Sequence, residues 1–373
     1  MAVAARRDMR LSRLAICAVL AATACEHDEH REAHSPPAQP TAPGQVRRYY
    51  IAADEVIWDY APSGRNLITG QPFDARARVY VTAGKHRLGS KYRKALYREY
   101  TDATFSTLKP RDARWQHLGM LGPLIRASVG DTIEVVFRNN THRLVSVHPH
   151  GVFYTKANEG TPYADGTSGA NKADDAIAPG STYTYRWTVP ESAGPTMHDG
   201  TSVMWMYHSH IDEPRDVNAG LLGPIIITAR GKARADGSPT DVDREFVATF
   251  FIVDENESPY TKRRPEDAEY VESNLKHAIN GYLYGNLPGL TMKRGERVRW
   301  YLMAMGSERD VHTPHWHANT VVISHMRTDV GWLLPGTMQT ADMTPMATGT
   351  WLFHCHVHDH IDAGMIGLYT VTE

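Results

Sequence analysis

One cysteine lies beyond residue 25, and it stands between two histidines, as His354-Cys355-His356. A soft thiolate combined with imidazole selects copper, and a weak axial thioether completes a blue electron-transfer centre. The sequence offers both further partners soon after Cys355: His360 and Met365, with Gly364 permitting a tight turn before the methionine. His312, three residues ahead of His315, supplies the second imidazole of a His₂Cys set. An isolated methionine is more often core filler than ligand. In the run His354-Cys355-His356-x3-His360-x3-Gly364-Met365 it reads as a ligand, and the chemistry of the set is one-electron transfer.

A second group of histidines is built differently. Four His-x-His pairs occur: His148/His150, His208/His210, His315/His317 and His354/His356. Side chains of a β-strand alternate between faces, so both imidazoles of a pair point the same way and give one cavity two ligands. By the same alternation Cys355 faces away from His354 and His356, and serves a different metal from the one they serve.

Such pairs need strands to carry them, and the rest of the chain supports an all-β reading. Short runs rich in aromatic residues, Thr, Val, Gly and Pro recur, no long stretch keeps a 3.6-residue apolar period, and helices should be few and short. The 373 residues, 42% hydrophobic and 22% charged, leave room for about two domains. A net charge of −2 points to no nucleic-acid partner. Leu124 to Asn139 reads as an apolar strand, a Gly130-Asp131 turn and a second strand, expected to pair as a hairpin. A related pattern returns from Leu290 to Tyr301, and in both places a His-x-His pair follows the second strand. The chain is thus a tandem repeat with a period of about 155 residues. It divides into two all-β repeats at 46–230 and 242–373, with a polar, turn-rich linker at 231–241.

Residues 1–25 have the parts of an export signal: Arg6, Arg7, Arg10 and Arg13, the apolar run Leu14 to Ala22, and small residues ending at Cys25. That run is too short to span a membrane. Ala22-Thr23-Ala24-Cys25 resembles a bacterial lipoprotein box, although Leu usually stands where Ala22 is. Plain cleavage and a lipid anchor at Cys25 both stay open, and the expected location is the periplasm or cell envelope. Residues 26–45, with His27, His30 and His34 among acidic residues and then a Pro-rich run, read as a solvated tether. Cys17 and Cys25 fall in the export segment, so the mature chain keeps one unpaired thiol, which in an exported protein needs a chemical reason.

These motifs resemble the multicopper oxidases, and among them the ceruloplasmin branch. There the last cupredoxin domain ends in His-Cys-His-x3-His-x3-Gly-Met, with His-x2-His-x-His upstream, here His312-Thr313-Pro314-His315-Trp316-His317. Asp254-Glu255-Asn256-Glu257-Ser258, His277-Ala278-Ile279-Asn280-Gly281 and Tyr207-His208-Ser209-His210-Ile211-Asp212 are also similar to ceruloplasmin segments, so the resemblance runs from residue 46 to 373. It implies two tandem cupredoxin-like Greek-key sandwiches holding four coppers per chain. Type 1 copper would be held by His312, Cys355, His360 and Met365, and type 2 copper by His148 and His315. The type 3 pair would fall to His150, His208, His210, His317, His354 and His356. Electrons would enter singly at the type 1 site and pass from Cys355 through its flanking histidines to the trinuclear cluster, where dioxygen is reduced to water. Glu159, nine residues after His150, matches an acidic residue that assists proton supply in relatives. The first repeat departs from the pattern, with Ser209 for the Cys and Val145 for the upstream His, and so contributes only to the cluster. His142 reads as a surface residue. Ser202 and Thr228 stand where animal relatives carry a disulfide.

The resemblance also places Glu272, His277 and Asp359 near the type 1 site, where relatives bind ferrous iron. Carboxylates with one imidazole suit Fe(II) and favour the Fe(III) product still more, so a ferroxidase is expected. A laccase-like oxidase of phenols, aromatic amines or cuprous copper would use the same copper ligands and is the alternative. A two-domain nitrite reductase does not need four His-x-His pairs, and a copper-storage protein has no use for a type 1 centre wired to a cluster. Asp174-Asp175, with Lys156, resembles a calcium-binding loop. In relatives the cluster forms where a first-type and a last-type domain face one another in a ring of six. Two domains cannot close that ring but three chains supply six, which implies a homotrimer with clusters between subunits.

Overall fold

The computed structural model describes residues 44–373. The expected export signal, the choice between plain cleavage and a lipid anchor at Cys25, and nearly all of the expected 26–45 tether lie outside the described residues. The first half of the described residues holds eight strands: β1 (Val46–Asp59), β2 (Lys91–Tyr100), β3 (Ile125–Ser128), β4 (Thr132–Asn139), β5 (His148–Pro149), β6 (Thr182–Thr188), β7 (Ser202–His208) and β8 (Leu222–Thr228). Strand β4 shows why: Ile133, Val135 and Phe137 are fully buried, and the half-buried Thr132, Glu134, Val136 and Arg138 alternate with them. One face therefore belongs to a core and the other does not. The sheets run β2-β1-β4-β6 and β3-β8-β7-β5, and residues of both, including Ile51, Phe137, Ile125 and Tyr207, meet in one apolar core.

The second half repeats this plan with β9 (Arg244–Asp254), β10 (Leu275–Ile279), β11 (Thr291–Lys293), β12 (Val298–Ala304), β13 (Pro314–Trp316), β14 (Val321–Ile323), β15 (Met326–Thr328), β16 (Met338–Met343), β17 (Gly349–Cys355) and β18 (Ile366–Thr372). Its sheets run β10-β9-β12-β16-β14-β15 and β11-β18-β17-β13. The order β11-β18-β17-β13 reproduces β3-β8-β7-β5 strand for strand, and β9 runs parallel to β12 as β1 does to β4. The four α-helices among the described residues are short: α1 (Ala77–Val81), α2 (Glu213–Ala219), α3 (Ala268–Ser273) and α4 (His358–Asp362). None of the described helices is long and apolar enough to cross a membrane.

The expected hairpin within Leu124–Asn139 does not form. Strand β3 pairs in parallel with β8, whereas β4 pairs with β1 and β6 in the opposite sheet. The Gly130-Asp131 turn carries the chain across the sandwich: Gly130 takes a positive φ of 97°, and the Asp131 carboxylate accepts from Ser128 N at 3.0 Å and Gln45 N at 2.8 Å. Crossing lets both short apolar strands face the same core from opposite sides. The same separation holds for β11 and β12.

Strand β12 is buried on both faces. Trp300, Leu302 and Ala304 fill the second core, while Tyr301 and Met303 join a cluster with Met204, Met206, Leu222 and Ile226 of the first half. Arg299, on that inter-sandwich side and only 2% exposed, pairs with Asp241 at 3.0 Å and Asp342 at 2.7 Å and donates to Ser202 Oγ at 2.8 Å. A buried cation is tolerable only with such full pairing. Ser202 lies directly opposite Thr228 across β7 and β8. The 231–241 segment is pinned rather than loose, by an Ala233–Pro239 bridge and by Asp241, which also accepts from Thr201 N at 2.9 Å.

Candidate metal centres

Strand β17 carries two kinds of ligand on two faces. Phe353 and Cys355 point into the second core, and the intervening His354 lies opposite His315 of β13 on the other side. On the core side His312 Nδ1 and His360 Nδ1 are 3.1 Å apart, at 3.8 and 3.5 Å from Cys355 Sγ. All three residues are buried. Short backbone bonds shape the loop around them: Cys355 N donates to Met365 O at 3.1 Å and Met365 N to His360 O at 2.9 Å, which keeps the buried Met365 beside the set. Gly364 between them needs its φ of 115°, and a Cβ there would approach the Tyr284 ring to 3.0 Å. Burial alone raises the thiol. Hydrogen bonds from His312, His360 and the backbone of Thr313 and Val357 outweigh it and bring Cys355 down to about 6, so the thiolate is present at neutral pH. Two converging imidazole nitrogens, a thiolate and a neighbouring thioether are the donor set that suits copper.

The sequence reading missed Asp310. It is buried, lies 3.2 Å from His312 Nε2, and accepts from Ile252 N at 2.7 Å and Ser307 N at 2.8 Å. A carboxylate so anchored fixes the ring of His312 and turns Nδ1 toward the thiolate. Two residues apart on extended chain, Asp310 and His312 face the same side, which is the signal that could have found it.

The remaining eight histidines form two quartets. In the first, His148 lies opposite His208 across β5 and β7, His150 Nε2 sits 3.0 Å from His208 Nε2, and His148 and His208 each lie with ring centroids 5.0–5.6 Å from the other three. In the second, His317 Nε2 sits 3.0 Å from His354 Nε2, and His315 and His354 each lie with ring centroids 4.7–5.5 Å from the others of His315, His317, His354 and His356. Equivalent backbone acceptors set the tautomers: His208 Nδ1 donates to Ser209 O, His354 Nδ1 to Cys355 O and His148 Nδ1 to Glu159 O, leaving Nε2 of each free for a metal. Every close ring contact among these eight falls within one quartet or the other.

Comparison with known proteins agrees with this geometry. Multicopper oxidase family profiles match residues 99–232 and 259–373. The chain is 45% identical to the ferroxidase HEPHL1 of Homo sapiens over 341 residues, covering 87% of this chain and 29% of that protein. It is 42% identical to hephaestin of Rattus norvegicus, covering 88% of this chain and 30% of the relative. For ceruloplasmin of Homo sapiens the figures are 40%, 88% and 33%. This chain belongs to the multicopper oxidase family. It spans about a third of the length of these curated relatives. In fold it is similar to the solved multicopper oxidase mgLAC, at a TM-score of 0.60 and 18% identity over 88% of this chain and 86% of that one. The copper nitrite reductase of Nitrosomonas europaea has a TM-score of 0.58 at 18% identity, over 88% and 94% of the two chains.

In the first sandwich of this chain, Ser209 stands after His208 as Cys355 stands after His354. Ser209 Oγ donates to the buried Asp216 at 2.7 Å and accepts from Ser146 N at 3.1 Å, with buried Val145 and Leu221 nearby in the chain. His142 is exposed and paired with Glu55. The Glu159 carboxylate does not face the quartet freely: it accepts from Lys156 Nζ at 2.7 Å and Tyr163 OH at 3.0 Å, and only its carbonyl reaches His148. Asp175 pairs with Lys172 at 3.2 Å, while the buried Asp174 accepts from Gly160 N through Oδ2 and leaves Oδ1 without a partner.

Glu272, His277 and Asp359 come to one side of the thiolate set, though their ligand atoms do not close into a tight group. The His277 ring lies 5.3 Å from that of His360, and the Tyr80 ring lies 5.9 Å from His277. Tyr80 OH donates to Glu272 Oε1 at 2.7 Å. Asp359, exposed on α4, acts on Tyr80 through its charge, as does Asp362. Tyr80 and Asp362 were not read from the sequence, because nothing local marks a first-half tyrosine as a neighbour of a second-half histidine.

Burial, with the neighbouring imidazoles second in importance for several of them, holds His150 and His354 down to about 4 and His208 and His277 to about 3. Burial also takes His117 to about 3, and its Nε2 accepts from Val247 N at 3.0 Å across the sandwich junction. The unfolded chain takes up these protons near 6.5. Between that pH and about 4 the unfolded state binds more protons than the native one, so stability of the metal-free protein falls as pH falls. The urea midpoint of metal-free protein should therefore drop steadily from pH 7 to pH 5. A midpoint that stays level over this range would contradict the neutral, buried state of these rings.

Proposed function

We propose that the chain is a four-copper oxidase that takes electrons from ferrous iron at the thiolate set and delivers them to dioxygen, giving water, at a cluster made by the histidine quartets. One observation carries the reading: on β17 the Cys355 thiolate and the neighbouring His354 imidazole face opposite ways, into two separate donor sets joined by the chain itself. When bound, copper supplies one-electron transfer at the first set and dioxygen reduction at the second. Cys355 and His354 give the shortest link between them, since the Cys355 carbonyl accepts from His354 Nδ1 at 2.8 Å. Asp310 and Thr313 N hold His312 and the thiolate in place.

Each quartet is half of an eight-imidazole set, and the two do not touch within one chain. A second copy would complete each half, as it does in a homotrimer with three shared clusters. The assigned ligands are His148 and His315 for type 2 copper, and His150, His208, His210, His317, His354 and His356 for the type 3 pair. The unpartnered Asp174 Oδ1 supports a calcium ion as a further ligand of this loop. The reading extends to an exported protein of the cell envelope.

Iron is favoured over a bulky aromatic donor because His360 is only 6% exposed and packs on His277, and because Glu272, Asp359 and Asp362 gather around the neighbouring Tyr80. Carboxylates bind Fe(III) better than Fe(II) and so favour electron loss. In Glu272→Ala and Asp359→Ala, iron oxidation by the copper-loaded enzyme should fall by about tenfold or more, on the scale of losing a metal-orienting group. Oxidation of an aromatic diamine should be spared. Equal losses on both donors would reduce these residues to supports of the fold, and unchanged iron kinetics would favour the laccase-like reading.

A further inference from the structure

Between β1 and β2 the first sandwich sends out a long excursion, Tyr60 to Ser90, that packs against the second. Its ties concentrate around the donor side of the thiolate set. Leu67 N donates to Tyr284 O at 3.0 Å, Arg76 pairs with Asp362, His86 lies 2.6 Å from Asp267, and Arg87 pairs with Glu269 at 3.2 Å. Asp267 and Glu269 border and begin α3, which ends beside Glu272.

Beneath this contact lies Lys276, fully buried on β10 next to His277. Its ammonium makes no direct ion pair. It donates instead to three carbonyls: Tyr80 O at 2.5 Å, Ser273 O at 2.6 Å and Gly89 O at 3.0 Å. Burial brings Lys276 down to about 7 while the charge of Glu255, not in contact with it, acts to raise it, and three carbonyls match the three protons of its ammonium form. The consequence is that two residues of the first sandwich's excursion, Tyr80 and Gly89, and the residue after Glu272 are fixed to the same atom.

We propose that Tyr80 is a positioning residue of the iron-donor site, so that this site is assembled across the two sandwiches. Its hydroxyl holds Oε1 of Glu272 and leaves Oε2 to face the metal ion. Its ring closes edge-on over His277, whose ring in turn packs on His360. Helix α1, started by the Asp74 carboxylate accepting from Ala77 N at 2.8 Å, presents the side chain, and Lys276 fixes its backbone. The phenol stays protonated and serves as a donor, because burial first, then the Glu272 hydrogen bond and the nearby carboxylate charges, push it well above its usual range. This inference rests on the iron-oxidase reading.

The test compares Tyr80→Phe with Glu272→Ala in copper-loaded enzyme, on ferrous ion and on an aromatic diamine, and measures binding of cobalt(II), a redox-inert stand-in for iron, by calorimetry. Tyr80→Phe removes one oxygen and keeps the ring, so the fold and blue colour should be retained. Expected are a KM for iron raised about tenfold, by analogy with other groups that orient metal ligands, a matching loss of cobalt affinity, and unchanged kcat and diamine oxidation. Normal iron KM and cobalt affinity in Tyr80→Phe, with both impaired in Glu272→Ala, would overturn the role of Tyr80 and leave the iron site standing. Unimpaired iron kinetics in Glu272→Ala would overturn the iron reading and this inference with it. Equal losses on both donors in Tyr80→Phe would show a structural role only.

Discussion

Cys355→Ser is expected to give a folded, colourless protein that no longer oxidises any donor. The thiolate is the soft ligand of the set, and a hydroxyl offers a hard, weakly ionised oxygen that does not suit the same metal state. The first sandwich shows what serine does at this position: Ser209 turns its hydroxyl to Asp216 and to Ser146 N. In the second sandwich Thr313 N, now 3.4 Å from Sγ, can donate to the new oxygen, so the core loses no hydrogen-bond partner. Stability should change little while turnover falls by more than about 100-fold, beyond the loss typical of groups one step removed from a metal. Absorbance and oxygen uptake with iron and with an aromatic diamine measure this together. A blue variant, or one that keeps diamine oxidation, would remove Cys355 from the electron path.

The parts of the protein that strand periodicity governs were legible in the sequence. The alternation rule separated Cys355 from His354 because both lie on β17, whereas the grouping of the pairs into two quartets was not read, since it depends on β5 pairing with β7 and β13 with β17. The β-sandwich class was visible in strands such as β4, whose burial follows the apolar pattern residue by residue. Strand partners were not visible, since Gly130-Asp131 can serve a hairpin or a crossing between sheets, and only the core decides. Long-range polar contacts were equally hidden. Tyr80 and Glu272 are 192 positions apart, and Lys276 spends its charge on carbonyls, which carry no residue signature. Glu159 shows the converse. Its place in the chain pointed to chemistry with its carboxylate, yet the fold uses its carbonyl to orient His148 and ties the carboxylate to Lys156.

Two inactive variants are expected to restore one another. In one, His148 and His150 are replaced by Ala, which destroys the first quartet; in the other, His354 and His356 are replaced, which destroys the second. Each alone should be inactive wherever the two halves meet. If they meet between subunits, a trimer of mixed composition contains one junction at which an intact first quartet faces an intact second quartet. That junction also carries an intact Cys355, because the thiolate set belongs to the chain that supplies the second quartet. Random assembly of equal amounts makes three-quarters of trimers mixed, each with one good junction in three, so co-expressed variants should recover about a quarter of wild-type oxygen uptake in a closed ring of three. Sedimentation of the mixture should show a single trimeric species. Silence of the mixture despite mixed trimers would mean that the quartets are completed within one chain or not at all. The separation of the quartets within the folded chain, with every close ring contact confined to its own sandwich, is the reason to expect recovery.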